Sequence, residues 1–151
     1  MRRQSPSRPL EGEVKIVGVR PQVSLTERRA KVADLSITLT GGRGPTPVPI
    51  TFSIGLNVPL SGRAQLTDDA GTVIAESTRS GSALVFRDVP VIPPGSRSRV
   101  FRITNIRANA SGVPHSASLV PAQIFAFLSI SGPLRIPLAG SQQNVGAIRR
   151  Q

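Results

Sequence analysis

The sequence predicts an all-β protein in which two antiparallel sheets pack face to face as an immunoglobulin-like sandwich. Apolar and polar residues alternate in several short runs, and turn signals recur at intervals of about eight to twelve residues. The 14 Gly and 14 Pro in 151 residues divide the chain into short elements. No stretch has a convincing helical period. A barrel or a jelly roll is the alternative arrangement of the same strands.

The most informative stretch covers residues 82–110. It contains two runs in which apolar residues recur at every second position, 83–89 and 99–109. This is the period of a strand with one buried face, not that of a helix. The rigid loop Pro93-Pro94-Gly95 joins the two runs.

The alternation changes phase within the second run. Phe101 and Ile103 share one parity, whereas Ile106 and Ala108 take the other. One extra residue in a strand turns every later side chain to the opposite face of the sheet. The sequence therefore predicts a β-bulge near Asn105.

Before this stretch, the sequence predicts a flexible basic tail or linker over residues 1–13 and a sandwich domain over residues 14–151. The early strands are predicted at 14–19, 33–40, 50–58, 63–67 and 72–77. The last two form a hairpin, because Asp68-Asp69-Ala70-Gly71 is a good four-residue connection that ends in glycine.

After this stretch, further strands are predicted at 124–131, 134–138 and 145–149. The first is apolar on both parities at its start, so we expect a central strand that is covered on both faces. Pro137 indicates that the second lies at a sheet edge. All five phenylalanines fall inside apolar runs and are expected in the core.

The chain is strongly basic, with 19 Lys and Arg against 8 Asp and Glu and a formal net charge of +11. Such a charge attracts polyanions such as nucleic acid in a non-specific way. Because the arginines are scattered, the simpler interpretation is that they are solvated surface charges. The candidate anion contacts are Arg2, Arg3, Arg8, Arg97, Arg99, Arg102 and Arg107.

The composition argues against catalysis. With no Cys, a single histidine (His115) and dispersed acids, there are few ways to assemble a nucleophile with its base, a carboxylate pair or a metal shell. We therefore expect no enzyme, no catalytic residue, no metal and no cofactor. The absence of Trp and Tyr also disfavours base stacking and a carbohydrate-binding sandwich.

No apolar run approaches the roughly 18 residues of a membrane span, so none is predicted. The N-terminus has a basic start without an apolar segment behind it, which predicts no secretory signal in this chain. On that basis the protein stays inside the cell, or the chain is a piece of a longer protein.

The run 100–109, preceded by Val89-Pro90 and Pro93-Pro94-Gly95, resembles a recurrent strand of β-sandwich modules in bacterial secreted and surface proteins. The strand at 124–131, followed by the polar residues 141–144 and then Val145, fits the same pattern. The resemblance implies a stalk, adhesion or assembly unit that is extracellular or at the cell surface. Its partners would be other domains of the same or a neighbouring chain.

Together these observations predict a non-catalytic structural or interaction module that binds partners through its loops or a sheet edge. The candidate contact loops are 41–49, 90–97 and 111–121, each longer than a tight turn requires. The alternative is an electrostatic nucleic-acid-binding or shell-forming, capsid-like sandwich with a basic arm. Its affinity would fall with added salt and with deletion of residues 1–13.

Overall fold

A computed structural model describes residues 9–113 and 123–149. Within these ranges the chain is built from β-strands and one turn of 3-10 helix at Ala110–Gly112, which confirms the all-β class. The strands in chain order are β1 (Glu11–Val17), β2 (Gln22–Ser24), β3 (Ala30–Lys31), β4 (Asp34–Gly41), β5 (Val48–Leu56), β6 (Leu60–Ser61), β7 (Gln65–Thr67), β8 (Val73–Glu76), β9 (Thr78–Ser80), β10 (Ala83–Val91), β11 (Gly95–Thr104), β12 (Arg107–Ala108), β13 (Gln123–Ser131), β14 (Leu138–Ala139) and β15 (Gln142–Arg149).

Most of these strands join two large sheets that form a sandwich. In the described ranges, sheet A has the order β14-β1-β4-β11-β7-β8 and sheet B the order β2-β15-β13-β5-β10-β9. Neighbouring strands are antiparallel except for two parallel pairs, β1 with β14 and β15 with β2. The sheets are therefore mixed and not purely antiparallel as expected. The chain reaches β2 and β14 after crossing between the sheets, and not through a hairpin.

The core lies between the inner faces of the two sheets. Alternate residues of β4 and β5 are completely buried, as their sequence period requires. Phe52 from sheet B and Phe101 from sheet A meet with their ring centroids 5.8 Å apart and their planes tilted by 51°. This aromatic contact ties the two sheets together at the centre of the sandwich.

The first strand begins earlier than expected. β1 starts at Glu11 and not at residue 14, and Leu10 before it is already buried. Gly18, with a φ of +86°, follows the last residue of β1. Residues 9–13 are thus ordered parts of the sandwich, because Leu10 contributes to its core.

The two runs of the stretch 82–110 belong to different sheets. β10 pairs with β5 in sheet B, and β11 pairs with β4 in sheet A, so the loop Pro93-Pro94-Gly95 crosses the sandwich. The predicted phase change is confirmed, but its cause differs. Asn105 has a φ of +58° and lies between β11 and β12, where the chain leaves sheet A for a small third sheet of β3, β12 and β6.

The expectation that every phenylalanine is in the core is wrong for β13. Phe127 is 46% exposed, and Phe125 is half-buried. β13 lies inside sheet B, between β15 and β5, so its edges are paired. Its outer face is nevertheless open to solvent, which contradicts the expected coverage on both faces.

The expected strand at 134–138 is shorter than the sequence suggested. Residues 132–137 are irregular, and only β14 pairs, as an edge strand of sheet A. The Pro137 carbonyl oxygen accepts a hydrogen bond from the amide of Gly12 at 2.9 Å. Proline before an edge strand is tolerated because its missing N–H is not needed for pairing.

Candidate functional site

The strands run between two ends of the sandwich, which differ in chemistry. At the first, here called the loop end, residues 42–47, 92–94 and 132–137 cross between the sheets. The other end, here called the basic end, contains the small third sheet. This end is built from the segments 18–29, 57–64 and 105–112, which include the short strands β2, β6 and β12. Each end holds one candidate site.

Two of the three predicted contact loops pack against each other at the loop end. Gly41 and Gly95 are partners in the register of β4 and β11. A side chain on Gly42 would place its Cβ 2.9 Å from the Cβ of Pro93. Glycine, with a φ of +71° here, is therefore required both by the backbone conformation and by this close approach.

The loop end also exposes apolar side chains among basic ones. Ile92 is 42% exposed and Leu134 is 51% exposed. Arg43, Arg97 and Arg135 are exposed in the same loops or directly beside them. Protein-binding surfaces usually combine exposed apolar side chains with polar side chains and arginine.

The third predicted contact loop, 111–121, begins at the basic end. The amide of Ser111 donates to the carbonyl oxygen of Glu27 at 3.2 Å. Residues 114–121 of this loop, with His115, lie outside the described residues. The structure therefore groups the other two loops and places the start of the third at the opposite end.

The predicted anion contacts do not form one patch. Arg97 and Arg99 lie at the loop end, and Arg99 donates from Nε to the carbonyl oxygen of Ile92. Arg102 lies in the middle of β11, in register with Thr67 of the neighbouring strand. Arg107 lies at the basic end. The remaining candidates fall outside the described residues: Arg2, Arg3 and Arg8.

Arg107 is held by two hydrogen bonds. Its Nε donates to Oδ1 of Asn105 at 2.8 Å, and its Nη1 donates to the carbonyl oxygen of Arg29 at 2.9 Å. The side-chain amide of Asn105 donates in turn to the carbonyl oxygen of Arg63 at 2.8 Å. Arg29 and Arg63 were not predicted as contacts, because no local pattern in the sequence links three such distant positions.

A third candidate surface is a pair of sheet edges. β8 forms an edge of sheet A and β9 an edge of sheet B, so one stretch of chain changes sheets at Ser77. The Ser77 amide donates to the carbonyl oxygen of Ala64, and its Oγ accepts from the amide of Ala64. Val73 is 46% exposed and Ile74 40% exposed on β8. Such an edge can accept an added strand.

The paired aspartates support the predicted turn. Oδ1 of Asp68 accepts from the amides of Ala70 and Thr72, both at 3.0 Å. Oδ1 of Asp69 accepts from the amide of Val100 at 2.8 Å. In the described ranges no three His, Cys, Asp or Glu residues gather as a metal site. The described part of the chain contains no helix with the length and apolarity of a membrane span.

Comparison with known proteins gives only distant structural similarity. The sequence matches no protein-family model and no curated protein. A DUF4466 family protein from Parabacteroides merdae is similar in structure at 10% identity, over 94% of this chain and 44% of that chain, with a TM-score of 0.49. The present chain thus spans less than half of the length of that protein.

Two other structures are similar at lower scores. The DNA-binding domain of the C. elegans orthologue of human p53 matches at 9% identity, over 94% of this chain and 90% of that chain, with a TM-score of 0.43. The group B streptococcus pilus 2b backbone protein matches at 11% identity, over 88% and 56%, with a TM-score of 0.36. These similarities do not assign a function, so the site geometry carries the argument.

Proposed function

We propose that the chain is a non-catalytic binding module that holds a protein partner at its loop end. The observation that carries this proposal is the close packing of the 42–47 loop against the 92–94 loop, through Gly42 and Pro93. The contact at Gly42 and the consecutive residues Pro93 and Pro94 restrict the conformations of both loops before a partner binds. A surface that is already ordered loses less conformational entropy on binding.

The chemistry of the loop end indicates what the partner presents. Ile92 and Leu134 offer exposed apolar area, and the surrounding arginines favour an acidic rim on the partner. The partner is proposed to be another domain of the same or a neighbouring chain. The bacterial surface or secreted setting suggested by the sequence belongs to the same proposal, and fractionation of the source cells tests it.

The test uses matched aspartate substitutions in the purified chain, with partner capture from source-cell fractions quantified by mass spectrometry. Ile92→Asp and Leu134→Asp each place a charge at an exposed apolar position of the loop end and should abolish capture of the partner. Val19→Asp is the control, because Val19 is 90% exposed and lies at the basic end. Equal capture by all three variants would overturn the proposal.

A Val73→Asp variant separates the loop end from strand addition at β8. If capture depends on the loop end, this variant should bind the partner as the parent chain does. Loss of binding in Val73→Asp alone would move the partner site to the sheet edge, because a charge on an edge strand opposes pairing with another chain.

The second candidate function is electrostatic binding of nucleic acid at the basic end. Basic residues outnumber acidic ones there in the described chain. The basic ones are Arg20, Arg28, Arg29, Lys31, Arg63, Arg79, Arg107 and Arg149, and the acidic ones are Glu27, Asp34 and Glu76. Light scattering with a DNA oligomer at low and high salt tests it. Complexes or shells that dissolve with salt would favour this function, and a salt-insensitive monomer would favour the protein-binding module.

A further inference from the structure

We propose that the basic end contains a binding pocket for the phosphate group of a phosphate monoester. A cavity of about 430 Å³ opens there. Its polar lining comes from Arg29, Arg63, Arg107, Gln65, Asn105 and Glu76. This pocket is separate from the proposed protein-binding loop end, so either inference can fail without the other.

The three arginines come from separate parts of the chain. Arg29 precedes β3, Arg63 lies between β6 and β7, and Arg107 begins β12. Guanidinium groups from several directions suit the tetrahedral oxygens of a phosphate better than the plane of one carboxylate. Folding thus brings three arginines from separate segments to the lining of one cavity.

The charge of the lining matches a dianion. Three arginines and Glu76 give three positive charges against one negative charge, a net charge of +2. A phosphate monoester carries about −1.5 to −2 at neutral pH. The cavity is also larger than a free phosphate ion requires, so it leaves room for the group that the phosphate is attached to.

Arg107 is positioned before any ligand binds. Its hydrogen bonds to Asn105 and to the Arg29 carbonyl oxygen fix the plane of the guanidinium. They use Nε and Nη1, and no hydrogen bond to a described residue uses Nη2, so this amino group can donate to a ligand oxygen. Asn105, which holds Arg107, adopts a φ of +58°. Asparagine adopts this left-handed conformation more readily than most residues do.

Glu76 acts as an internal competitor for the ligand. Its Oε2 lies 3.8 Å from Nη1 of Arg63, and the two side chains are 56% and 77% exposed. An exposed ion pair of this length is weak. A phosphate dianion can therefore displace the Glu76 carboxylate from Arg63, and removal of the carboxylate should strengthen phosphate binding.

Isothermal titration calorimetry with glycerol 2-phosphate, at low and constant ionic strength, tests the pocket. Acetate serves as the carboxylate comparator and should bind about tenfold more weakly, because it carries a single charge and fewer acceptor oxygens. Equal affinity for the two anions would overturn the assignment to a phosphate monoester.

Charge-removing substitutions distinguish binding in the pocket from attraction by the overall positive charge of the chain. Arg107→Gln should weaken glycerol 2-phosphate binding about tenfold, because it removes a charged hydrogen-bond donor. Arg63→Gln should weaken it about threefold, since its side chain is mostly exposed. Arg97→Gln is the control, because it makes the same charge change at the loop end and should leave the affinity unchanged.

The direction of the affinity change in Glu76→Gln is the decisive test of the pocket. A pocket for phosphate requires affinity to rise, by about threefold, when the competing carboxylate is removed. Arg63→Gln and Glu76→Gln alter only an exposed ion pair, so both variants should fold. Weaker binding in Glu76→Gln, or the same loss in Arg97→Gln as in Arg63→Gln, would overturn the proposal.

Competition with a DNA oligomer shows whether the pocket binds a phosphate monoester or the phosphodiesters of a nucleic acid. If the pocket is built for a terminal phosphate, excess oligomer should not displace glycerol 2-phosphate, because each diester carries a single charge. Displacement by the oligomer that is lost in Arg63→Gln would assign the pocket to nucleic acid and overturn the monoester proposal.

Discussion

The loop end and the basic end are ordered by different means. At the loop end, backbone groups fit closely, with Gly41 opposite Gly95 and Gly42 against Pro93. At the basic end, side chains form the links, as Asn105 holds Arg107 by a hydrogen bond. A backbone-ordered surface is fixed by glycine and proline and leaves its side chains free to contact a partner. A network of polar side chains loses its geometry when one member is removed.

The largest effect is expected from the aromatic contact in the core, because both ends of the sandwich depend on it. Phe52→Ala should cost about 3–5 kcal/mol of the free energy of unfolding, because it leaves a cavity beside Phe101 between the sheets. Urea unfolding measures this loss. The control Phe127→Ala, at a side chain that is 46% exposed, should cost less than about 1 kcal/mol. Similar losses would show that Phe52 is not central.

A smaller effect, confined to the basic end, is expected from Asn105. Asn105→Ala removes the hydrogen bonds to Arg107 and Arg63 and places Ala at a positive φ. The expected cost is about 2 kcal/mol. Asn105→Gly should recover about 1 kcal/mol of it, because glycine adopts this conformation without strain. Hydrogen exchange at Gly95, at the loop end, should not change. Faster exchange there would contradict the independence of the two ends.

The corresponding test at the loop end is Gly42→Ala. Its Cβ would meet Pro93 at 2.9 Å, and its φ is +71°, so the expected cost is about 1–3 kcal/mol. Gly71→Ala is the matched control, because its φ is +82° and nothing lies within 4 Å of the added Cβ. The difference between the two variants, measured by urea unfolding, isolates the loop contact. No difference would mean that the loops are not in close contact.

The smallest effect is expected from Arg63→Gln. Because the Arg63–Glu76 pair is long and exposed, its loss should change the free energy of unfolding by less than about 0.5 kcal/mol. Phosphate binding by the same variant should nevertheless fall, which separates ligand binding from stability at the basic end. A stability loss above about 1 kcal/mol would assign Arg63 a structural role instead.

Much of the fold could be predicted from local periodicity. β4, β5 and the hairpin of β7 and β8 lie within two residues of where alternation and turn residues placed them. β15 begins at Gln142, three residues before its expected start. Periodicity does not state which sheet a strand joins, so the separation of β10 from β11 could not be seen. It also does not state whether the second face of an apolar strand is covered, which is why the expectation of a buried Phe127 was wrong.

The candidate sites were less predictable than the fold. Loop length identified the 41–49 and 90–97 loops, and the structure shows that they are neighbours. Of the three arginines that line the cavity at the basic end, only Arg107 was among the predicted contacts. The carbonyl oxygen of Arg29 accepts from Arg107, and that of Arg63 accepts from Asn105. Composition and spacing contain no signal for hydrogen bonds between residues so far apart in sequence.

Sequence reasoning alone correctly predicts the all-β class, the inward faces of most strands and the change of phase at Asn105. These features follow from the side-chain alternation along single strands, which is a local property. Pairing and packing in the folded chain set the order of strands in the two sheets, the contact of two loops at one end and the grouping of three arginines around a cavity at the other. These depend on pairing between distant segments, where many arrangements bury the same apolar residues and packing selects one of them.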